Sequence, residues 1–577
     1  VKIVKEVPVQ ADDPLKSPWR RRTVALASLL VLATGAAACQ SGSPTEEGNK
    51  GTPKAQGMVS QLNMGDFGGG NAPQRNFNPF SPTRLVTDFT FEPLFVVNAY
   101  DCTVTPWLGT SYTWENPAKL VVKTRSGVTW SDGKPFSAKD VAFTYNLLKT
   151  APALDTNGLW SKLTSVTAEG ADQVTFAFKE ASVPTFTQVS DVRMVPEHIW
   201  SAVTDVAKFT NNEAVGTGPY TVKSQNTQQL VLERNPKYWQ ADKIKVQRMM
   251  FKKATGGAEV DKLRLSRGEY DWNAMFVPDI EKTYVAKDPE HNHYWFPPGA
   301  SISLFMNLTK APFNDVEFRR AMTFAIDRDE IKNKAQFGYV ETASQTGLVM
   351  PGQKAWLAPG IANDGKVPYD AAQAKKVLAD AGYKTGPDGK LLGKDGKPLP
   401  DFSYKVPNGW VDWIQAAQVI QKNLADLGIT VDVQTPSAEV HDKDRGIGNF
   451  DMFFGVHGGG CNIYQAFQHP LGSSQTAPIG KVAPTNFIRW KDAKTDALLE
   501  ELAKAPDEAA QKTVVHQLEQ IMVDQVPVVP LWYGAQWFEY RSEKAIGWPN
   551  AKDPYAGPGN QLIIMTKLRP NPDYRGK

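Results

Sequence analysis

One apolar run governs how this chain can be read. Thr23–Ala38 (TVALASLLVLATGAAA) follows the basic triplet Arg20–Arg22 and breaks at Cys39 into Gln40-Ser41-Gly42-Ser43. A basic flank, a short apolar stretch and small residues before the break mark a secretory signal. A bilayer crossing needs about 20 residues, more than this run supplies. No second long apolar segment follows, so residues 39–577 are expected to fold in water. That length requires two or more domains. The net charge of +3 resides wholly in residues 1–38, which carry six Lys or Arg against three Asp or Glu. The body is therefore neutral, without the strongly basic domain or stripe of a nucleic-acid binder.

The segment Ala36-Ala37-Ala38-Cys39 resembles a bacterial lipobox, with Ala36 where leucine is commonest. The resemblance implies that 1–38 is a signal peptide and that Cys39 is acylated. The mature protein would then be lipid-anchored at the extracellular face of the cytoplasmic membrane. Residues 39–57 lack any aromatic and are rich in Ser, Gly, Pro, Thr, Lys and Glu, the composition of a flexible linker. Two further cysteines, Cys102 and Cys461, leave two readings open. In an exported protein they could form a disulfide, or they are two isolated buried thiols, since bridging demands close Cα atoms.

Alternating segments and turns dominate the first half. Leu120–Thr124 leads through Gly127 and Trp130 to the turn Ser131-Asp132-Gly133, and Ser137 with Asp140 forms a capping box ahead of an apolar helix. Hairpin material follows at Val166–Glu169 and Val174–Phe178. Helices are predicted in the second half over 315–326, 328–336, 370–381, 413–427, 495–505 and 508–525. Leu427-Gly428-Ile429 marks a helix–glycine–strand step of α/β units, and Val526–Trp532 is an extended apolar segment. The body is thus a mixed α/β protein of two lobes.

At this point several segments resemble one family. They are Ser131–Phe143 (SDGKPFSAKDVAF), Gly216–Tyr220 (GTGPY), Asn235–Trp239 (NPKYW), Phe318–Met322 with Ala325–Arg328, and Tyr369–Asp370 with Ala374–Leu378 and Ala381–Tyr383. In order, they are similar to signatures of the large extracellular solute-binding proteins of ABC importers, the oligopeptide/dipeptide-binding family 5. The resemblance implies an α/β, two-lobed periplasmic-binding-protein-like fold of the large type (cluster C). Lobe I would span 58–306 with an extra subdomain about 101–215, lobe II 307–530, and residues 531–577 would return to lobe I. Crossings are expected near Met306-Asn307-Leu308 and Val529-Pro530-Leu531. The resemblance further implies a monomeric non-enzyme, without cofactor or metal, that hands its solute to ABC permease transmembrane subunits.

The sequence departs from the peptide-binding pattern after Phe450-Asp451-Met452, where that branch carries an aspartate for the peptide's ammonium. Here Met452–Tyr464 contains no carboxylate, and a buried ammonium requires a partner. Sixteen tryptophans point elsewhere, because a rigid aromatic face stacks on a pyranose ring while amides bond its hydroxyls. Asn408-Gly409-Trp410-Val411-Asp412-Trp413 resembles the branch that binds β-linked oligosaccharides such as cello- or xylo-oligomers. An oligosaccharide is therefore the expected solute, with an oligopeptide as the alternative and nickel as a lesser one. The candidate contacts are Trp410, Trp413, Asn408, Asn462, Gln465, His457 and Gly459, the last through close backbone approach. His291 and His293, beside Glu290, lack the further ligands of a zinc site. Tyr238, Trp239 and Asp451 read as structural.

Overall fold

Where the chain changes sheets decides where its lobes meet. The computed structural model describes residues 57–65, 75–82, 84, 86–156, 158–253 and 258–576; the signal 1–38, Cys39 and nearly all of the linker lie outside them. A seven-stranded sheet runs in the order Asn292–Tyr294, Glu539–Arg541, Trp272–Asn273, Leu62–Met64, Arg248–Lys252, Gln229–Arg234, Tyr220–Gln225. A five-stranded sheet runs Val431–Gln434, Phe402–Lys405, Met452–His457, Pro298–Met306, Val529–Ala535. The fold is the two-lobed, mixed α/β arrangement typical of the large class of periplasmic-binding-protein-like folds.

The chain leaves the first sheet after Tyr294, joins the second at Pro298, and returns between Ala535 and Glu539. Both crossings thus lie near 295–297 and 536–538, away from Met306–Leu308 and Val529–Leu531. The expected residues sit inside the second lobe. Val529 and Pro530 pair with Leu304 and Ser303, and buried Asn307 donates its amide to the carbonyls of Gly448 and Phe450, each at 3.1 Å. An apolar strand looks alike from either end; here the incoming strand crosses at its N-terminal end and the returning strand at its C-terminal end. The C-terminal segment completes the first sheet: Glu539–Arg541 pairs antiparallel with both Trp272–Asn273 and Asn292–Tyr294.

Between these elements the first lobe carries a four-stranded antiparallel sheet, in the order Gly109–Asn116, Lys119–Thr124, Gln173–Phe178, Leu163–Glu169. Helix Ala138–Thr150 packs on it, opened by the predicted capping box. Ser137 N–H donates to Asp140 Oδ2 at 2.9 Å, and Lys139 N–H to Ser137 Oγ at 3.3 Å. In the second lobe, Asp315, Asp370, Asp492 and Asp507 each accept a backbone N–H at the start of a helix, which satisfies donors the helix itself cannot. Among the described residues, no helix is long and apolar enough to cross a membrane.

One buried acid ties the first lobe together. Trp107 Nε1–H, Tyr238 O–H at 2.9 Å and Trp239 Nε1–H at 3.1 Å all donate to Glu92 Oε1. Tyr238 and Trp239 are therefore structural, as their sequence context implied. Burial raises the Glu92 carboxyl to about 7, against the opposing pull of those donors. Between about pH 4.5 and 7 the native state holds a proton that the unfolded chain has released. The contribution of Glu92 to stability should fall as pH rises through that window, by at most about 3 kcal/mol, and level off above it. Denaturant midpoints of the native protein, taken as the difference from Glu92→Gln at each pH, should show this slope.

Candidate functional site

In open α/β sheets, ligands lie beyond the carboxyl ends of parallel strands, where connections diverge. Phe402–Lys405 and Met452–His457 are parallel neighbours, so they end on one edge of the five-stranded sheet. That edge also carries the first residues of Pro298–Met306 and the last of Val529–Ala535, both antiparallel partners in the sheet. From it rise the loops Asn408–Trp410 and Gly458–Cys461, leading into helices Val411–Ala425 and Ile463–Leu471.

A cavity of about 490 Å³ opens against the second loop. The second lobe contributes Gly459, Asn462 and Gln465 to its wall. The first lobe contributes Thr187, Gln188 and Asp191, from helix Phe186–Ser190 and the residue after it. Asn462 caps helix Ile463–Leu471, its side-chain oxygen accepting Gln465 N–H at 3.0 Å. Among the described residues, its Nδ2 and the Thr187 hydroxyl are buried without a hydrogen-bond partner. Buried polar atoms are nearly always paired; here one unpaired atom belongs to a wall residue of each lobe. Asp191 is the carboxylate of the wall, and Arg193 donates to it at 3.0 Å.

Four of the predicted contacts therefore gather at one cavity: His457, Gly459, Asn462 and Gln465. Two of them act differently from the expectation. The ring of His457 turns into the second lobe, where Nδ1 hydrogen-bonds with Ser303 Oγ at 3.0 Å and Nε2 has no partner. Gly459 adopts φ +75°, and a Cβ there would lie 2.3 Å from the Gly299 carbonyl. Its missing side chain lets the loop press on the neighbouring strand.

The tryptophan loop stands apart from the cavity. Half-buried Trp413 packs edge-on against Phe454 at 5.3 Å and Trp532 at 6.4 Å, against the margin of the core. Trp410 is 45% exposed and meets Trp413 edge-on at 4.7 Å. Asn408 is exposed and holds the loop by donating its backbone N–H to the Pro436 carbonyl at 2.8 Å. Asp451 is structural, accepting from Ser403 and paired with Lys310. His291 and His293 share the Ser542 hydroxyl, and the described residues hold no cluster of three metal-ligating side chains.

The two cysteines are joined. Cys102 and Cys461, 359 residues apart, form a disulfide with their Cα atoms 5.3 Å apart. Cys102 belongs to a turn of the first lobe, and Cys461 lines the cavity from the second.

The sequence model of bacterial extracellular solute-binding proteins, family 5, matches residues 103–478. The chain is similar to the oligopeptide-binding protein AppA of Bacillus subtilis, with 26% identity over 71% of this chain and 75% of that protein. It is also similar to the di/tripeptide-binding protein 1 of Pseudomonas aeruginosa, with 27% identity over 56% of this chain and 57% of the other. Among solved structures it resembles the periplasmic oligopeptide-binding protein of Thermotoga maritima. That likeness has TM-score 0.81 and 26% identity, covering 89% of this chain and 99% of the other. The mannohexaose complex of the Thermotoga protein matches with TM-score 0.75.

These relatives overturn the expectation of an oligosaccharide solute. By name they are peptide-binding proteins, and the glycan in one Thermotoga complex does not outweigh them. The physical ground for that expectation also weakens, since Trp413 is a packing residue and Trp410 lies off the cavity.

Burial holds the His457 imidazole down at about 4. The native state thus refuses a proton that the unfolded chain takes up below about pH 6.5. The contribution of His457 to stability should fall as pH drops from about 6.5 to 4, by at most about 3 kcal/mol, opposite in sign to that of Glu92. The difference in unfolding midpoint between the native protein and His457→Gln should follow that slope over this range.

Proposed function

The chain belongs to the bacterial extracellular solute-binding proteins of family 5, and from that premise we propose that it captures oligopeptides between its lobes. It delivers them to the permease of an ABC importer, held at the outer face of the cytoplasmic membrane by lipid on Cys39. The family consists of transport proteins that bind solute without chemistry on it. The observation that carries the peptide reading is the cavity wall, where unpaired Thr187 Oγ1 and Asn462 Nδ2 come from opposite lobes and Asp191 supplies a carboxylate.

A peptide backbone offers what these groups lack. Its carbonyls accept from an amide N–H₂ such as that of Asn462, and the Thr187 hydroxyl can give or take a hydrogen bond. The terminal ammonium needs an anion when it leaves water. The stretch after Asp451 has none, and Asp191 fills the role from the opposite lobe. Closing the lobes brings the two halves of the recognition set together, as in hinge closure around a ligand.

Calorimetry of the mature protein against alanine peptides of three to nine residues should show binding, with no heat from cello-oligomers or mannohexaose. Asp191→Asn should weaken free-amine peptides by more than about tenfold, or 1.4 kcal/mol, while N-acetylated peptides change little. Glycan binding with silence toward every peptide would sink the reading. Separately, radiolabelled palmitate should enter the native protein in a bacterial host and not Cys39→Ser; equal labelling of both would remove the anchor.

A further inference from the structure

We propose that the Cys102–Cys461 disulfide is a third crossing between the lobes, a covalent pivot that confines opening of the cleft to a swing about its own edge. Each cysteine is fixed to its own lobe. The turn holding Cys102 lies between strands Phe95–Val97 and Val104–Pro106. There, Gly557 N–H donates to Asn98 Oδ1 at 2.9 Å, and Ala99 N–H to Asn560 Oδ1 at 2.8 Å. On the other side, Gln353 Nε2 donates to the Gly460 carbonyl at 2.9 Å, and Gly459 presses on Gly299 of strand Pro298–Met306. The bond therefore stands beside the point where the chain first enters the second lobe. Tyr100, Cys102, Pro298, Gly299 and Gly460 share the wall of one small cavity there.

Farther along this face the lobes meet without a covalent bond, helix Ala493–Lys504 packing on Val183–Thr185 of the first lobe. Helix Ile463–Leu471 follows Cys461 directly, and its Tyr464 ring lies 5.2 Å from Lys162 Nζ of the first lobe. Helix Ala493–Lys504 packs against it and ends at Lys504, paired with Glu180 at 3.1 Å. Both partners of that pair are well exposed, so solvent competes for it and the pair is weak. Lobes tied covalently at one end of an interface and by non-covalent contacts alone at the other part first at the non-covalent end. Opening therefore separates Tyr464 from Lys162 and Lys504 from Glu180, while the Cys102 and Cys461 turns stay together.

This inference rests on the solute reading only for what the swing serves. The test uses the full exported protein purified without reductant. Thiol titration of the unfolded protein should find neither Cys102 nor Cys461 free. Reduction by a phosphine, which takes its oxygen from water and leaves two thiols, should preserve near-UV circular dichroism. It should also add an extended population in X-ray scattering and speed amide exchange at 98–104 and 457–461, the two turns that the bond holds together, by about tenfold or more. Cys102→Ser should reproduce the reduced behaviour; should that variant not fold, the reduced native protein carries the test alone. Unchanged scattering and exchange after reduction would overturn the pivot, as would two free thiols in the native protein. Outright unfolding would also overturn it, because the bond would then be a folding staple. Peptide calorimetry on the oxidised sample keeps the two proposals separate: no peptide heat with altered scattering removes the solute reading and leaves the pivot.

Discussion

The pairing of Pro298–Met306 with Val529–Ala535 is the constraint on which the rest depends. These strands carry the chain into the second lobe and out of it, and they are neighbours in one sheet, with Pro298 opposite Ala535. Both crossings therefore leave from the same edge, a few ångströms apart. That edge is also where the parallel strands Phe402–Lys405 and Met452–His457 end. One arrangement thus joins the lobes and places the loops Asn408–Trp410 and Gly458–Cys461 at the joint. The ladder is irregular beside the crossing and between Ile302 and Ser303, so the strands bend while keeping their partners, as irregular ladders do.

Around this joint, buried polar groups divide into those that hold the lobes and those that await a partner. Arg319 and Arg328 are buried and donate to backbone carbonyls, Arg319 to Phe313, Gln525 and Val526, and Arg328 to Thr323 and Pro530. Each ties a helix after the outgoing strand to the segment leading into or forming the return strand. Glu92 does the same for the first lobe. Thr187 and Asn462 differ, because each has a buried atom without a partner among the described residues and each residue lines the cavity. The cost of leaving such atoms unpaired, about 1–3 kcal/mol each, makes the cavity wall receptive to a ligand rich in hydrogen-bonding groups. A peptide backbone is such a ligand at every residue.

Much of this was legible in the sequence. The capping box at Ser137 and Asp140, the helix Glu508–Gln525 and the helix–glycine–strand step at Gly428 follow from local rules, and they formed as read. The loop Gly458–Cys461, with Asn462 and Gln465 after it, lines the cavity. Thr187 and Asp191 were not legible, since nothing in Phe186–Asp191 marks it as a wall; its role exists only once the lobes approach. The pairing of Cys102 with Cys461 was open for the same reason. Trp410 and Trp413 misled because an aromatic at a loop–helix junction serves packing as well as recognition, and composition does not separate the two. The missing carboxylate after Asp451 misled because a charge partner need not come from the same segment, or even the same lobe.

Hydrogen–deuterium exchange of the mature protein with and without alanine peptides tests the central claim most directly. The account predicts that peptide slows exchange on both walls at once, at 187–191 in the first lobe and 456–466 in the second, with no comparable change around Trp410. Protection confined to one lobe, or centred on Asn408–Trp413, would contradict it.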